Sequence, residues 1–315
     1  MGKVAFVFPG QGAQYSGMGK EFYENFSVAR RVFEQASDRL GMDMKALCFE
    51  GTEEDLKKTE NTQPAILTTS VALLEVLEVE GIQCDMTAGL SLGEYTSLVS
   101  SGVLDFEDAV AIVQKRGRYM QEAVPEGVGA MAAILGLDKA ILLGCIQQAS
   151  IHGIVEVANY NSPAQIVISG EVEAVKAAAE LAKAKGARKA VILPVSAPFH
   201  SSLLKPAGRK LETELRKALI KSPEIPVITN TEARMLEDEY HVIPNLVKQV
   251  SQSVKWQESM EYMMAEGVDT FIEIGPGKTL SGFIKRIAKD NNQSVHMMNI
   301  ENIQDLKGLS QRIRV

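Results

Sequence analysis

Several features that mark particular protein classes are scarce in this chain of 315 residues. Its three cysteines, Cys48, Cys84 and Cys145, are far apart and form neither a metal-binding pattern nor an obvious disulfide framework, so we expect buried thiols. No uninterrupted apolar run approaches the length of a membrane span, and no basic segment or cleavage site precedes the first apolar stretch. These absences predict a cytoplasmic protein without a membrane partner.

The chain also has fewer positively charged than negatively charged residues. The chain has 33 lysines and arginines against 40 aspartates and glutamates, which gives a formal net charge of −7. Nucleic-acid binding needs an electropositive face, so this balance argues against a general nucleic-acid binder. The composition is otherwise that of an ordinary globular protein, and the length allows one large domain or two moderate ones.

The glycine-rich loop near the N-terminus could be taken for a nucleotide-binding loop, but it lacks the required motifs. A predicted strand over residues 4–8 runs into the glycine-rich stretch 9–14. The dinucleotide fingerprint requires glycine where Tyr15 stands, and the phosphate-binding loop requires serine or threonine where Glu21 stands. The loop therefore matches neither nucleotide-binding motif, and we expect it to have a different function.

Residues 89–93, with the sequence Gly-Leu-Ser-Leu-Gly, are the most informative stretch that is present. Gly-x-Ser-x-Gly is common by chance, but here it lies between a weak predicted strand over 84–88 and a predicted helix over 92–101. That order is typical of a nucleophile elbow, a tight strand-to-helix turn that exposes the serine Oγ. Gly89 and Gly93 are expected because side chains would collide across so sharp a turn.

A serine nucleophile needs a base, and histidine is the usual one. The chain has four histidines. Three of them are in less suitable places: His152 lies in the predicted insert, His241 in a polar connection and His296 near the C-terminal end. His200 instead follows a strand that leaves the insert at a domain junction, where active-site clefts tend to lie. Position and elimination therefore favour His200. No aspartate or glutamate is evident as a third triad member, so a neutral acceptor such as a backbone carbonyl is expected to orient the histidine.

A predicted amphipathic helix over 105–122 places Arg116 at the edge of its apolar stripe. A buried arginine requires an anionic partner, because an unpaired buried charge is very costly. The residues alone leave three possibilities open: an anionic ligand, an internal ion pair, or a side chain that extends out to solvent.

The middle of the chain has a pattern of its own. Residues 127–195 predict the order β-α-β-β-α-β, which is the ferredoxin-like order, in a small subdomain inserted into a larger one. Residues 1–126 and 196–315 would then form one large α/β catalytic domain.

The motifs occur in an order that is similar to one known family. They are Gly10-Gln11-Gly12-Ala13-Gln14, Gly89-Leu90-Ser91-Leu92-Gly93-Glu94, Arg116, Pro198-Phe199-His200-Ser201 and Gly275-Pro276-Gly277. Over nearly its whole length the chain resembles the malonyl-CoA:acyl carrier protein transacylases. The resemblance implies an α/β fold, in which an α/β-hydrolase-like core with a parallel sheet carries a ferredoxin-like insert.

The same resemblance implies catalytic roles. Ser91 would be the nucleophile and His200 its base, while Gln11 and the backbone N–H of Leu92 would form the oxyanion hole. The main-chain carbonyl of Gln249 would orient the histidine, which would explain the missing acid.

It also implies a substrate pocket. Arg116 would bind the malonyl carboxylate, and Gln63 and Asn161 match positions that line the pocket. Phe199 resembles the malonyl-type rather than the methylmalonyl-type acyltransferases. Leu90 departs from the pattern, since many members have histidine there, and we expect altered packing without loss of chemistry.

The implied reaction is a ping-pong transfer of malonyl from malonyl-CoA to acyl carrier protein in fatty acid synthesis, with no metal and no permanently bound cofactor. A polyketide acyltransferase, a serine hydrolase or thioesterase, and a non-enzymatic scaffold of the same fold are the alternatives. Acyl carrier proteins are acidic, so binding would be transient and electrostatic and would need a local basic surface. The candidates are Arg188, Lys189, Lys205, Arg209 and Lys210.

Overall fold

The structure, a computed structural model, describes residues 2–125, 127–195 and 197–313, and within these ranges it contains two β-sheets. The strands are β1 (Lys3–Phe8), β2 (Met86–Gly89), β3 (Gly129–Leu135), β4 (Val155–Ser162), β5 (Gln165–Glu171), β6 (Lys189–Ile192), β7 (Val227–Ile228), β8 (Val268–Ile274) and β9 (His296–Ile300). The α-helices are α1 (Lys20–Asn25), α2 (Ser27–Leu40), α3 (Met44–Glu50), α4 (Glu53–Lys57), α5 (Thr59–Val79), α6 (Gly93–Ser100), α7 (Phe106–Glu122), α8 (Lys139–Ala149), α9 (Val172–Ala184), α10 (Lys205–Leu215), α11 (Val242–Gln249), α12 (Trp256–Ala265), α13 (Thr279–Asp290) and α14 (Ile303–Ile313).

The first sheet is parallel, with strand order β7-β2-β1-β8-β9. Its central strand β1 is almost fully buried, as expected for a strand with layers of structure on both faces. Phe8 at the end of β1 pairs with Gly89 at the end of β2. The glycine-rich loop and the elbow therefore leave the sheet side by side at its carboxyl edge, where ligands bind in open parallel sheets.

The second sheet is antiparallel, with strand order β4-β5-β3-β6. Helices α8 and α9 pack on it, and α9 does so through alanines that allow a close approach. The predicted β-α-β-β-α-β order is present. The division into a large domain (1–126 and 196–315) and an insert (127–195) stays a prediction, and Glu126 and Ser196 at its boundaries lie outside the described residues.

Helix α5 is buried on nearly all sides and packs against α2 and α7. Proline is favoured in the first turn of a helix, but α5 begins five residues before Pro64, at Thr59. The Thr62 side chain donates to the Leu56 and Lys58 carbonyls, which stabilises this extra first turn. None of the helices in the described ranges has the length and apolar character needed to cross a membrane.

Candidate active site

Ser91 lies on a strained turn between β2 and α6. Its φ is 55°, in the left-handed region that non-glycine residues rarely occupy. A Cβ on Gly89 would collide with the backbone of Gly93, and a Cβ on Gly93 would collide with the carbonyl of Phe8. The two glycines thus let β1, β2 and α6 approach one another closely, which is the steric reason predicted from the sequence.

Ser91 contacts the histidine that the sequence analysis selected. Ser91 Oγ lies 2.7 Å from His200 Nε2, and His200 Nδ1 lies 2.8 Å from the main-chain oxygen of Gln249. A carbonyl only accepts, so Nδ1 carries the proton and Nε2 is the free base. Burial, and next the positive charge of Arg116, lower the pKa of His200 to about 4, so the ring is neutral at pH 7.

The elbow has a further support that the sequence analysis missed. The Asn230 side chain accepts from the Ser91 backbone N–H at 2.7 Å and donates to the Gly89 carbonyl at 2.7 Å. Asn230 follows β7, the strand next to β2, so the parallel sheet brings it to the elbow. The Asn230 side chain is therefore hydrogen-bonded to the backbone of Ser91 and to the backbone two residues before it.

Arg116 on α7 is buried, with 1% of its surface exposed. Nη1 donates to Gln63 Oε1 at 2.9 Å, and Nη2 donates to Gln249 Oε1 at 2.9 Å and to Ser91 Oγ at 3.2 Å. The guanidinium also lies over the ring of Tyr95, 5.5 Å from its centroid. Among the described residues it has no ion pair, and its Nε has no acceptor. Within the described residues, Arg116 therefore neither forms an internal ion pair nor extends to solvent.

Glu94 is a second buried charge close to the elbow, and the sequence analysis gave it no role. It is 2% exposed and lies one turn beyond Ser91. Its Oε2 accepts from Gln249 Nε2 at 2.8 Å and from the Asn230 backbone N–H at 3.1 Å. Burial raises the pKa of Glu94 to about 7, while these two bonds and the charge of Arg116 act in the opposite direction.

A cavity of about 230 Å³ opens onto Ser91, His200 and Arg116. Gln11, Gln63, Leu90, Asn161 and Phe199 also line it, so most of the predicted site residues meet there from distant parts of the chain. The predicted site residues Leu92 and Gln249 are not in the lining. Asn161 Oδ1 is buried without a partner in the described protein. Apolar walls surround these polar groups. They are formed by Met120, Met131, Val167, Leu193, Val195 and Phe199.

Two backbone N–H groups lie near Ser91: Leu92 follows it in the sequence, and Gln11 lines the same cavity. Among the described residues, the N–H groups of Gln11 and Leu92 donate to no protein acceptor. A Cβ on Gly10 would collide with the Leu90 carbonyl, so the glycine-rich loop approaches the elbow closely. The pair of donors beside Ser91 is an arrangement that can bind a developing oxyanion.

The remaining polar candidates lie elsewhere. His152, His241 and His296 are exposed, away from the cavity lining. In the described ranges, no group of three or more histidine, cysteine, aspartate or glutamate side chains could hold a metal ion. The five basic candidates for carrier binding are all exposed, and Lys210 pairs with Glu122 at 3.2 Å.

Known proteins resemble this chain in sequence and in structure. The acyl transferase domain family matches residues 5–310. Over 288 residues the chain is 50% identical to a malonyl CoA-acyl carrier protein transacylase of Bacillus subtilis (strain 168), with 91% of each protein covered. The structure of malonyl CoA-acyl carrier protein transacylase from Clostridium perfringens matches with a TM-score of 0.95 and 48% identity, over 99% of this chain and 97% of that one.

A further solved structure shows a type II PKS acyl-carrier protein in complex with its malonyl-transacylase. It matches with a TM-score of 0.95 and 40% identity, over 98% of this chain and 99% of that one. The predicted fold class, an α/β-hydrolase-like core with a parallel sheet and a ferredoxin-like subdomain, is confirmed by these neighbours and by the two sheets. The chain belongs to the malonyl CoA-acyl carrier protein transacylase family of acyl transferases.

Proposed function

We propose that this enzyme moves a malonyl group from malonyl-CoA to the phosphopantetheine thiol of an acyl carrier protein, through an ester on Ser91, and so supplies fatty acid synthesis. One observation carries the proposal: a serine and a neutral histidine lie 2.7 Å apart beside a buried arginine that has no carboxylate in contact with it. The pair supplies a nucleophile and its base, and the arginine supplies a site for a dicarboxylic acyl group.

In the first half-reaction, His200 Nε2 takes the proton from Ser91 Oγ as the oxygen attacks the thioester carbonyl of malonyl-CoA. The carbonyl oxygen becomes an oxyanion, which the N–H groups of Gln11 and Leu92 would bind. The C–S bond then breaks, and coenzyme A leaves with the proton from His200. Malonyl stays on Ser91 as an ester.

In the second half-reaction, the carrier thiol enters where coenzyme A left. His200 takes the thiol proton, the sulfur attacks the ester carbonyl, and the C–O bond to Ser91 breaks. The proton returns to Ser91 Oγ. The Gln249 carbonyl keeps the protonated Nδ1 of His200 in place throughout, so Nε2 always faces the reacting oxygen or sulfur.

Arg116 would select the acyl group. A planar guanidinium matches a carboxylate in a two-bond arrangement, and the unpartnered Nε–H is available for one of those bonds. Gln63 holds the opposite end of the guanidinium. Acetyl has no carboxylate and would leave the buried charge without an anion, so malonyl is preferred.

The rest of the cavity would shape the substrate and exclude water. Phe199 and Asn161 line the space beside the acyl group, and the apolar walls keep water from the malonyl-serine ester. Water attack would turn the enzyme into a hydrolase, which the named relatives do not favour. Leu90 adds to the apolar wall. The proposal includes no permanently bound cofactor and no metal, and it places the reaction in the cytoplasm.

The carrier would bind along the predicted insert of residues 127–195 and the segment after His200. Four of the basic candidates have no ion pair among the described residues, so their charges are available to an acidic partner: Arg188 just before β6, Lys189 at its start, and Lys205 and Arg209 on α10. In support, a structural neighbour is a malonyl-transacylase in complex with an acyl-carrier protein.

The test is mass spectrometry of the intact enzyme after exposure to malonyl-CoA. We expect one added malonyl group, absent in Ser91→Ala, and its movement to the carrier thiol when holo acyl carrier protein is added. Failure to label Ser91 would leave a non-enzymatic scaffold. Rapid release of free malonate without malonyl carrier would instead identify a hydrolase.

A further inference from the structure

Arg116 raises an electrostatic question. Its charge is buried, and every group in contact with it is neutral: two glutamine oxygens, a serine hydroxyl and a tyrosine ring. A buried cation without a counter-charge is costly. The nearest source of negative charge is Glu94, which is connected to Arg116 through one side-chain amide.

That amide belongs to Gln249. Its Oε1 accepts from Arg116 Nη2, and its Nε2 donates to Glu94 Oε2 and to the Ser91 carbonyl. A carboxylate offers only acceptors, so it forces the NH₂ end of the amide towards itself and the oxygen end towards the guanidinium. The opposite orientation would place two donors face to face at Arg116.

Glu94 has a second connection on the same oxygen. Oε2 also accepts from the backbone N–H of Asn230, whose side chain holds Gly89 and Ser91 on the two sides of the strained turn. One carboxylate thus touches both the support of the nucleophile and the support of the arginine.

We propose that Glu94 is a positioning residue for acyl selection: through Gln249 it orients Arg116 towards the substrate carboxylate, and through Asn230 it holds the turn that carries Ser91. The proposal rests on the malonyl transfer proposed above, and it assigns a cause to the placement of the arginine. Glu94 itself touches neither substrate nor the reacting atoms.

The test compares variants at pH 8, where the Glu94 carboxylate is ionised. Glu94→Met removes the acceptor, Glu94→Gln keeps an acceptor oxygen without the charge, and Gln249→Met breaks the same connection while keeping the main-chain carbonyl for His200. Hydrogen bonds to charged groups are strong, so we expect Glu94→Met to raise KM for malonyl-CoA about 10-fold, or about 1.4 kcal/mol, with a smaller change in kcat. The malonyl-to-acetyl preference should fall with it.

The conservative and double variants separate positioning from general damage. Glu94→Gln should recover part of the KM and of the preference, because one acceptor oxygen remains. Gln249→Met should match Glu94→Met in KM and in acyl preference, and the double variant should add little to either, since each change breaks the connection between Glu94 and Arg116. The second connection, to the Asn230 N–H, is lost only in Glu94→Met, so any additional fall in kcat should appear in that variant and not in Gln249→Met. If Glu94→Met does not fold, the proposal can still be tested with Gln249→Met and Glu94→Gln.

Glu273→Met is the matched control. Glu273 is equally buried, but its bonds go to the Leu280 N–H and to Ser281, at the start of α13. This variant should lower Tm and leave the malonyl-to-acetyl preference unchanged. An unchanged KM and preference in Glu94→Met, with only a lower Tm, would overturn the proposal. Absence of malonyl label on wild-type Ser91 would instead overturn the proposed function.

Discussion

The two sheets contribute different things to one cavity. The parallel sheet and its helices supply the groups that carry or transfer charge: the half-buried Ser91 and the buried Glu94 after β2, and the buried Arg116 on α7. The antiparallel sheet supplies neutral lining such as Met131, Asn161 and Val167. Substitutions on the first should therefore change the rate of acyl transfer or the selection for an acyl carboxylate, and substitutions on the second should change the size of the acyl group that fits.

The largest effect is expected at Arg116. Arg116→Ala should lower kcat/KM for malonyl-CoA about 100-fold and abolish the preference over acetyl-CoA, because the substrate carboxylate would be buried without its charge partner. Competition between the two thioesters for labelling of Ser91 measures this. Arg118→Ala, which removes an exposed ion pair with Glu60, is the control. A strong malonyl preference that survived in Arg116→Ala would contradict the role given to this arginine.

The pH profile should distinguish His200 from an ordinary histidine. At pH 5.5 a histidine with the usual pKa is about 10% neutral, whereas one with a pKa of about 4 is about 97% neutral. We expect the acid limb of kcat/KM to lie well below pH 6.5. Because the unfolded chain binds this proton first, stability from the neutral ring is complete above pH 6.5 and is lost as the pH falls towards 4.

Glu94 complicates that measurement, since its pKa of about 7 lies within the same range. The profile is therefore repeated on Glu94→Gln, in which this carboxyl no longer titrates. An acid limb centred near 6.5 in both proteins would mean that His200 is not held neutral by its surroundings.

A substitution in the antiparallel sheet should have a smaller effect, which concerns stability and the size of the acyl group that is accepted. Val167→Ala on β5 removes two methyl groups from the cavity wall, and we expect a loss of about 1–2 kcal/mol in stability together with severalfold better labelling by larger thioesters such as methylmalonyl-CoA. Val155→Ala on β4 faces the helices of the same sheet and should lower stability alone. Equal acyl ranges in the two variants would mean that this wall does not set the fit.

The smallest effect is expected on the surface. Reversing two charges with Arg188→Glu and Lys189→Glu should raise KM for the carrier a few-fold at low salt and reduce its salt dependence, with little change for malonyl-CoA. Lys57→Glu, which reverses one exposed charge on α4, is the control for the two reversals made one at a time. Identical carrier kinetics and salt slopes in all three proteins would place the carrier elsewhere.

Local pattern predicted a good part of this molecule. The turn at Ser91 and the insert's order of elements follow from glycine placement and from periodicity, and His200 follows from position and elimination. The oxyanion donors, Gln249 and the pocket residues came from family resemblance. Their meeting depends on parallel pairing between β1 and β2, which a sequence pattern does not specify.

Glu94 and Asn230 were missed for a related reason. An acidic residue in the first turn of a helix is common and stabilises the helix from an exposed position, so Glu94 gave no signal of burial. Asn230 lies just beyond a two-residue strand, and its partners are more than 130 positions away. Both become visible only once the elbow and its neighbours are assembled in space.

Glu273 on β8, whose carboxylate accepts from the first N–H groups of α13, also affects the electrostatics of the cavity. Thr279 and Leu280 line the cavity, so the start of a twelve-residue helix adjoins the substrate. A helix start of this kind would ordinarily attract a phosphate. Glu273 already occupies the Leu280 and Ser281 N–H groups and adds its own charge. The backbone donors of this helix start are therefore already used within the protein, and Arg116 is the lysine-or-arginine cation among the residues that line the cavity.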